Sequence, residues 1–144
     1  MHCHVYLRKG IVYLPTMGKM DKGFYRGIEP VAVVSVTNTE ALREALTATI
    51  ARGNPSVPVL RRSEYPPPVL LKYAGVKAWS AFDRDASLWD VGEEGGRFVI
   101  VGYNKRPSGE SVQDPDQKIE FPPASSVDAI VDRMIAILQD AAQQ

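Results

Sequence analysis

Residues 69–104 have the sequence VLLKYAGVKAWSAFDRDASLWDVGEEGGRFVIVGYN and contain the strongest structural signals in the chain. In residues 87–91, strand alternation places Ser87, Trp89 and Val91 on one face and Leu88 and Asp90 on the other, whereas residues 98–101 are apolar without a break. The glycines of residues 92–96 supply the tight turn that two antiparallel strands require. The pattern predicts a β-hairpin whose second strand is covered on both faces and lies inside the sheet. We expect Trp89, on the first strand, to pack in the core.

Short apolar runs outside this hairpin predict the remaining strands. Residues 4–8 and 11–14 predict two strands around Lys9 and Gly10, so that residues 1–10 form an edge hairpin or a mobile end. Residues 31–36, VAVVSV, are apolar on both faces and predict a central strand. Residues 69–73 predict another strand, and residues 118–121 a brief extended piece.

The segments between these strands predict loops and turns. Residues 16–30 are rich in glycine and lysine and predict a mobile connection. Residues 54–68 contain five prolines, which favour a stiff connector; the part from Arg61 to Pro68 also suits a rigid ligand for a partner. Ser80 can cap a single helical turn to Asp83, and residues 105–117 predict a polar loop with a short edge strand.

Two segments have the spacing of amphipathic helices. Thr37 and Glu40 predict a capping box for the first, which Gly53 ends. Ser125 or Ser126 caps the second. The expected buried stripe of the first helix is Leu42, Ala45, Leu46, Thr49 and Ile50, and that of the second is Val127, Ile130, Val131, Met134, Ile135 and Leu138.

Together these elements predict an α+β fold, with a mixed or antiparallel sheet of five or six strands and two amphipathic helices packed on it. A chain of 144 residues fits a single globular domain over residues 1–144. The sequence has no apolar run near the roughly 18 residues that span a bilayer, and its N-terminus lacks the apolar region of a secretory signal. Cys3 is the single cysteine, which excludes an internal disulfide and suits the reducing cytoplasm.

The charges are distributed unevenly along a chain whose net charge is zero. Residues 1–80 contain 11 Lys/Arg and 5 Asp/Glu, whereas residues 81–144 contain 6 and 12. Such asymmetry creates opposed surface patches if the two halves stay apart in the fold, and the patches vanish if the halves interleave. The sequence alone leaves both outcomes open.

The side chains used in most enzyme active sites are scarce. The only histidines, His2 and His4, flank Cys3 at the N-terminus, where chains are usually frayed, and this argues against a His-dependent hydrolase or ribonuclease. The residue types suit zinc or copper, but the spacing is no known chelate, so we predict no metal site and no cofactor. No phosphate-binding glycine motif occurs, and the neutral charge argues against direct nucleic-acid binding.

Two stretches resemble a known family. They are LKYAGVKAWSAF, residues 71–82, and DPDQKIEFPP, residues 114–123, which leads into the final helix. Both are similar to small bacterial proteins of polymorphic-toxin loci, in particular immunity proteins of contact-dependent growth inhibition systems, and the layout corresponds over residues 11–140. The resemblance implies a cytoplasmic, non-catalytic inhibitor that binds a toxin domain and blocks its active site.

The densest acidic group is the candidate partner surface, because many delivered toxins are basic nucleases that an acidic face would attract. We predict a surface with Trp79 as an anchor beside Asp83, Asp85, Asp90, Glu93 and Glu94. The alternative is a small carboxylate-dependent enzyme or ligand-binding domain, which requires a deep pocket with convergent carboxylates. A purely structural role in a homo-oligomer would instead require an exposed edge strand. The sequence does not give the oligomeric state.

Overall fold

The computed structural model describes residues 1–144 and contains six strands and four helices. The strands are β1 (His2–Arg8), β2 (Ile11–Lys19), β3 (Tyr25–Ser35), β4 (Ala86–Glu94), β5 (Arg97–Lys105) and β6 (Ser111–Glu120). The helices are α1 (Thr39–Arg52), α2 (Leu70–Ala74), α3 (Trp79–Arg84) and α4 (Val127–Ala141). Single 3-10 turns occupy Asp21–Gly23 and Arg62–Glu64.

The strands form one antiparallel sheet in the order β3-β2-β1-β4-β5-β6. Each half of the sheet is a run of three sequential strands, and the pairing of β1 with β4 joins the halves. The α+β fold with an antiparallel sheet of five or six strands is confirmed. Residues 1–10 are neither an edge hairpin nor a frayed end, because β1 lies between β2 and β4.

The covered face of the sheet is the one on which α1 and α4 pack. Strand alternation directs Cys3, Val5 and Leu7 of β1 to this face, and Trp89 and Val91 of β4 join them, as expected for Trp89. The buried stripe of α4 has the predicted spacing, and Ile130, Val131, Met134, Ile135 and Leu138 are all buried. Each fully buried aliphatic side chain of this core stabilises the fold by about 1.5–3 kcal/mol.

The two long helices have side-chain caps. Ser126 Oγ accepts a hydrogen bond from the backbone N–H of Ala129 at 3.1 Å, which confirms one of the two predicted caps of α4. The predicted capping box of α1 is wrong, because Asn38 Oδ1 accepts from Ala41 N–H at 3.1 Å and the Thr37 hydroxyl instead contacts Ser35 Oγ. An asparagine side chain satisfies the orphan donors of the first turn as well as threonine does.

The open face of the sheet lies opposite the covered face and has no long helix on it. β1 directs His2, His4, Tyr6 and Arg8 to this side, in register with Gly92, Asp90, Leu88 and Ala86 of β4. The short helices α2 and α3 cover one end of it with a second apolar cluster, made of Tyr6, Tyr13, Leu70, Leu71, Phe82 and Ala86. The open face is therefore partly apolar and partly polar, and grooves remain between its elements.

Residues 69–73 form a helix and not the predicted strand. The carbonyl of Pro68 accepts the N–H of Leu71, and Gly75, at φ 69°, ends α2 in the left-handed conformation that favours glycine. Periodicity cannot separate a strand from one buried helical turn in an apolar run this short. The predicted Ser80 cap is also displaced, because α3 begins at Trp79 and its N-cap, Ala78, has no side-chain hydrogen bond.

Residues 16–36 also differ from prediction. β2 continues to Lys19 and β3 begins at Tyr25, so most of the predicted mobile connection is sheet. The run at residues 31–36 lies at the sheet edge, where Val33 is 43% exposed. It is apolar on both sides because Val34 packs with the core under α1, while Val31 packs with the cluster under α2.

Both edge strands contain features that disfavour pairing with another chain. β3 contains Pro30 next to Glu29, and β6 contains Pro115 between Asp114 and Asp116. Proline removes a ladder donor, and charges on an edge repel a second strand. β6 itself extends over residues 111–120, so most of the brief extended piece and residues 111–117 of the predicted polar loop belong to one strand, whereas residues 106–110 form the loop before it. No helix of the chain has the length and apolar character that crossing a bilayer requires.

Candidate functional site

Trp79 lies on the open face as the first residue of α3. Its ring stacks on Phe82, with centroids 5.2 Å apart and planes at 26°, and meets the Tyr6 ring edge-on at 5.9 Å. Phe82 is fully buried and contacts Tyr6 and Tyr13 edge-on at 5.5 and 5.4 Å. Since Trp79 rests on a fixed aromatic base and is 37% exposed, it presents a rigid apolar surface to solvent.

A groove of about 370 Å³ begins at Trp79 and runs along the proline-rich segment. Pro66–Pro68 form one wall, while Tyr6 and Met17 lie on the sheet side. A second groove of about 650 Å³ lies beyond the same prolines and is bordered by Lys72 and Lys77. The proline segment thus divides the surface beside Trp79 into two shallow apolar channels.

Arg26 borders both channels and was not among the predicted site residues. Its guanidinium lies 5.8 Å from the centre of the Tyr65 ring, and its Nε is buried without a hydrogen-bond partner. The sequence gives little indication that Arg26 belongs to this site. Arg26 and Tyr65 are far apart in the chain and come into contact only because the proline segment folds back over the sheet. Lys72 and Lys77 border the second channel together with Glu29, which pairs with Lys72 at 2.8 Å, so charges of both signs line this part of the open face.

Two of the predicted acidic residues, Asp83 and Asp85, lie at the end of α3. Asp83 pairs with Lys105 at 3.5 Å and accepts from Ser111 Oγ at 3.4 Å. Asp85 lies 3.5–3.8 Å from Arg8, Lys9 and Arg84, and the Arg84 hydrogen bond is the main cause that lowers the pKa of its carboxyl. Both carboxylates are therefore already neutralised by neighbours.

Glu93 and Glu94 lie at the opposite end of β4, at the hairpin tip. Glu93 is 3.6 Å from the amino group of Met1, and Glu94 is 2.8 Å from Lys118 Nζ. The rise of about 3.3 Å per residue separates the two ends of this strand by roughly 25 Å. The predicted acidic residues therefore form a line along β4. Asp90, Glu93 and Glu94 border one groove, which Asp83 and Asp85 at the other end of the strand do not reach.

Asp90, at the middle of that line, is buried and not part of the exposed surface. Its Oδ2 accepts hydrogen bonds from Tyr103 OH at 2.5 Å and Gln113 Nε2 at 3.1 Å, and its Oδ1 lies 3.1 Å from His4 Nε2. Burial lowers the pKa of His4, against the opposing charge of Asp90. Burial and then the bond to Asp90 raise the pKa of Tyr103.

The charge asymmetry of the sequence persists in the sheet. Residues 1–35, which form β1–β3, contain five Lys/Arg and two Asp/Glu, whereas residues 86–120, which form β4–β6, contain four and seven. Because the halves lie side by side and do not interleave, one half of the sheet is basic and the other acidic. A partner that spans the open face meets both signs of charge.

Solved structures of other proteins share this fold, although their sequences are very different. No protein-family model matches the chain, and no curated protein matches its sequence. The fold is similar to that of a protein of unknown function from Neisseria meningitidis, with a TM-score of 0.61 and 11% identity over 98% of this chain and 92% of that chain. It is also similar to a chain of the CdiA-CT/CdiI toxin and immunity complex from Yersinia pseudotuberculosis, with a TM-score of 0.62 and 12% identity over 98% of this chain and 95% of that chain. The resemblance inferred from the sequence is confirmed at the level of the fold.

Proposed function

We propose that this chain is a cytoplasmic, non-catalytic immunity protein that binds a toxin domain and covers the toxin's active site with the open face of its sheet. The similarity of fold to a chain of a toxin and immunity complex supports the general function. The surface rests on one observation, which is that Trp79 stacks on buried Phe82 yet stays 37% exposed beside an apolar groove. Aromatic anchors that are fixed before binding lose little entropy and often dominate the affinity of an interface.

The acidic residues have a different task in this proposal. Asp83 and Asp85 lie in or beside the helix of Trp79, and Glu93 and Glu94 extend the negative charge along the acidic half of the sheet. That charge attracts a basic nuclease and raises the association rate. Since each carboxylate already has a cationic neighbour, we assign these residues mainly to the association rate and Trp79 mainly to the lifetime of the complex. Asp90 lies buried on the same open face, where it accepts hydrogen bonds from Tyr103 and Gln113.

The general function is tested by growth rescue. The C-terminal domain encoded by the gene immediately upstream is expressed with and without this chain, and cell density is followed. We expect the domain alone to stop growth, and we expect co-expression to restore growth with co-purification of the two proteins. A harmless upstream domain, or one that still kills in the presence of this chain, would overturn the proposal.

The surface is tested on the purified pair. Trp79→Ala should weaken binding about 30-fold or more, as expected for an anchor worth about 2 kcal/mol, mainly through faster dissociation. Phe24→Ala is the matched control, because Phe24 is 65% exposed but lies outside the groove at Trp79. Equal loss in both variants would argue against this surface.

The acidic residues are tested by charge reversal. Glu93→Lys with Glu94→Lys should slow association about tenfold at low salt, and added salt should reduce the difference. Glu44→Lys makes the same type of change at an exposed position of α1, on the other side of the molecule, and should leave the rate nearly unchanged. An unchanged rate in the hairpin variant would remove these glutamates from the binding surface.

A further inference from the structure

Three metal-ligating side chains converge on the open face where β1 pairs with β4. His2 and His4 are two residues apart on one strand, so alternation directs both to the same side. Asp90 lies directly opposite His4 in the register of the two strands. One ligand atom from each of these three residues lies within 4.8 Å of the other two. The group is thus fixed by two inner strands of the sheet and not by a loop.

Asp90 has an oxygen that the protein leaves without a donor. Its Oδ2 is occupied by Tyr103 and Gln113, whereas Oδ1 is buried and has no hydrogen-bond partner. His4 Nε2 is only 3.1 Å from Oδ1 but forms no hydrogen bond with it, so closeness alone does not satisfy this oxygen. A buried carboxylate oxygen with no donor is costly, and a bound cation would offset that cost.

The outer hydrogen bonds of the cluster suit metal binding. His4 Nδ1 lies 3.2 Å from Tyr6 OH, which leaves Nε2 directed at the cluster. Tyr103 and Gln113 fix the plane of the Asp90 carboxylate in the same way. In metal sites such outer bonds orient the ligands and set the imidazole tautomer. Two of the three candidate ligands are therefore already held in place.

We propose that His2, His4 and Asp90 bind a divalent first-row transition metal ion, with Zn²⁺ as the best fit. The carboxylate is a hard ligand that many cations accept, but the two imidazoles are borderline ligands that suit zinc better than Mg²⁺ or Ca²⁺, which prefer oxygen ligands. Bonds of about 2.0–2.1 Å in a tetrahedron separate neighbouring ligand atoms by about 3.3 Å, close to the 3.1 Å between His4 and Asp90. His2 and Asp90 also line a groove of about 230 Å³ bordered by Tyr25, Glu93 and Gln113, which gives an ion access from solvent.

Cys3 is not a ligand of this site although it lies between the two histidines. Alternation directs its side chain to the covered face, where the thiol is buried in the core and 3.6 Å from Met1 Sδ. The sequence HCH is therefore not a three-residue chelate. His2 and His4 lie on the open face as two candidate ligands, whereas Cys3 lies in the core on the covered face. The third candidate ligand, Asp90, comes from β4.

The test is a Zn²⁺ titration of the full chain, first dialysed against EDTA, by isothermal calorimetry. We expect one ion per chain. His4→Ala and Asp90→Asn should each weaken binding by at least 10–100-fold, the range already seen when an outer partner of a ligand is removed. Asp85→Asn is the matched control, because it removes the same charge from an aspartate outside the cluster. Cys3→Ala should keep the affinity of the unmodified chain.

A second variant and a second measurement cover the risk that Asp90→Asn unfolds. His2 is half-buried at the start of β1, so His2→Ala should fold; Zn²⁺ should raise the Tm of the unmodified chain but not that of His2→Ala. Co²⁺ in place of zinc should give the visible absorption of a four-coordinate site, lost in both histidine variants. Absence of binding by the unmodified chain, or full affinity in folded His2→Ala, would overturn the proposal. So would loss of binding in folded Cys3→Ala.

Discussion

The covered face and the open face of the sheet come from the same strands but have opposite chemistry. On β1, alternate residues give Cys3, Val5 and Leu7 to the covered face and His2, His4, Tyr6 and Arg8 to the open face. The covered face is closed by two long, capped helices, whereas the open face has two short helices and grooves. The comparison indicates that stability depends mainly on the covered face, which contains the larger of the two apolar clusters.

The largest expected effect is a truncation under the covered face. Leu42 of α1 is fully buried in the main core, so Leu42→Ala should lower the free energy of unfolding by about 2–5 kcal/mol. Val33→Ala, on the half-exposed side of β3, should change it by less than about 0.5 kcal/mol. Urea unfolding followed by circular dichroism measures both. Equal losses of unfolding free energy in the two variants would mean that both faces contribute equally to stability.

A smaller effect is expected from the unequal capping of the helices. Ala78, the N-cap of α3, has an extended backbone and no side-chain bond, so Ala78→Ser should raise the free energy of unfolding by about 0.5–1 kcal/mol. Ser126→Ala should lower it by about 1 kcal/mol at the capped end of α4. The midpoint of urea unfolding reports both changes. A lower midpoint for Ala78→Ser would show that the start of α3 is constrained by its packing and not by its missing cap.

The smallest effect concerns the contact between α2 and the edge of the sheet. Glu29 of β3 accepts from Tyr73 OH at 2.7 Å and pairs with Lys72 Nζ at 2.8 Å. The Lys72 hydrogen bond and then the Tyr73 hydrogen bond lower the pKa of Glu29 from its ordinary value of 4.5. A lowered folded-state pKa means that the stability gained is present above 4.5 and is lost as pH falls through the folded-state pKa.

Glu29→Gln should therefore be slightly less stable than the unmodified chain near neutral pH, and the gap in urea midpoint should close in acid below pH 4.5. High salt should also narrow the gap, because the pair is exposed to solvent. Glu44→Gln, at an exposed position with no ion pair, should show no gap at any pH. A gap that persists in acid would mean that the Glu29 charge is not its cause.

The sequence predicted the parts of the fold that depend on local spacing. The stripe of α4, the helix α1 and the hairpin of β4 and β5 follow from periodicity and turn glycines, and the structure confirms them. The error at α2 arose because a stretch of five residues, four of them hydrophobic, fits a strand and a helical turn equally well. The error at β3 arose because short α2 covers the outer side of an edge strand, which gives it the composition of an inner one.

The candidate sites depend on pairing between distant segments, which periodicity cannot reveal. Trp79 was selected from the sequence, but the groove beside it exists only because the segment around Tyr65 folds over Met17 and Arg26. His2 and His4 appeared too few for a metal site because Asp90, their candidate partner, lies on a strand far along the chain. The acidic residues could be identified from the sequence, but the cationic group that pairs with each of them could not.

The seam between β1 and β4 determines the order in which the molecule can assemble. β1–β3 and β4–β6 are each built from neighbouring strands, whereas the seam pairs residues as distant as His2 and Gly92. Closing so long a loop is entropically costly, so we expect docking of the two halves to be slower than formation of either half. During synthesis the edge of β1 stays unpaired until β4 has left the ribosome, and it is then open to wrong partners. α4 follows all six strands along the chain, so the core that protects this edge is complete only after α4 has been synthesised.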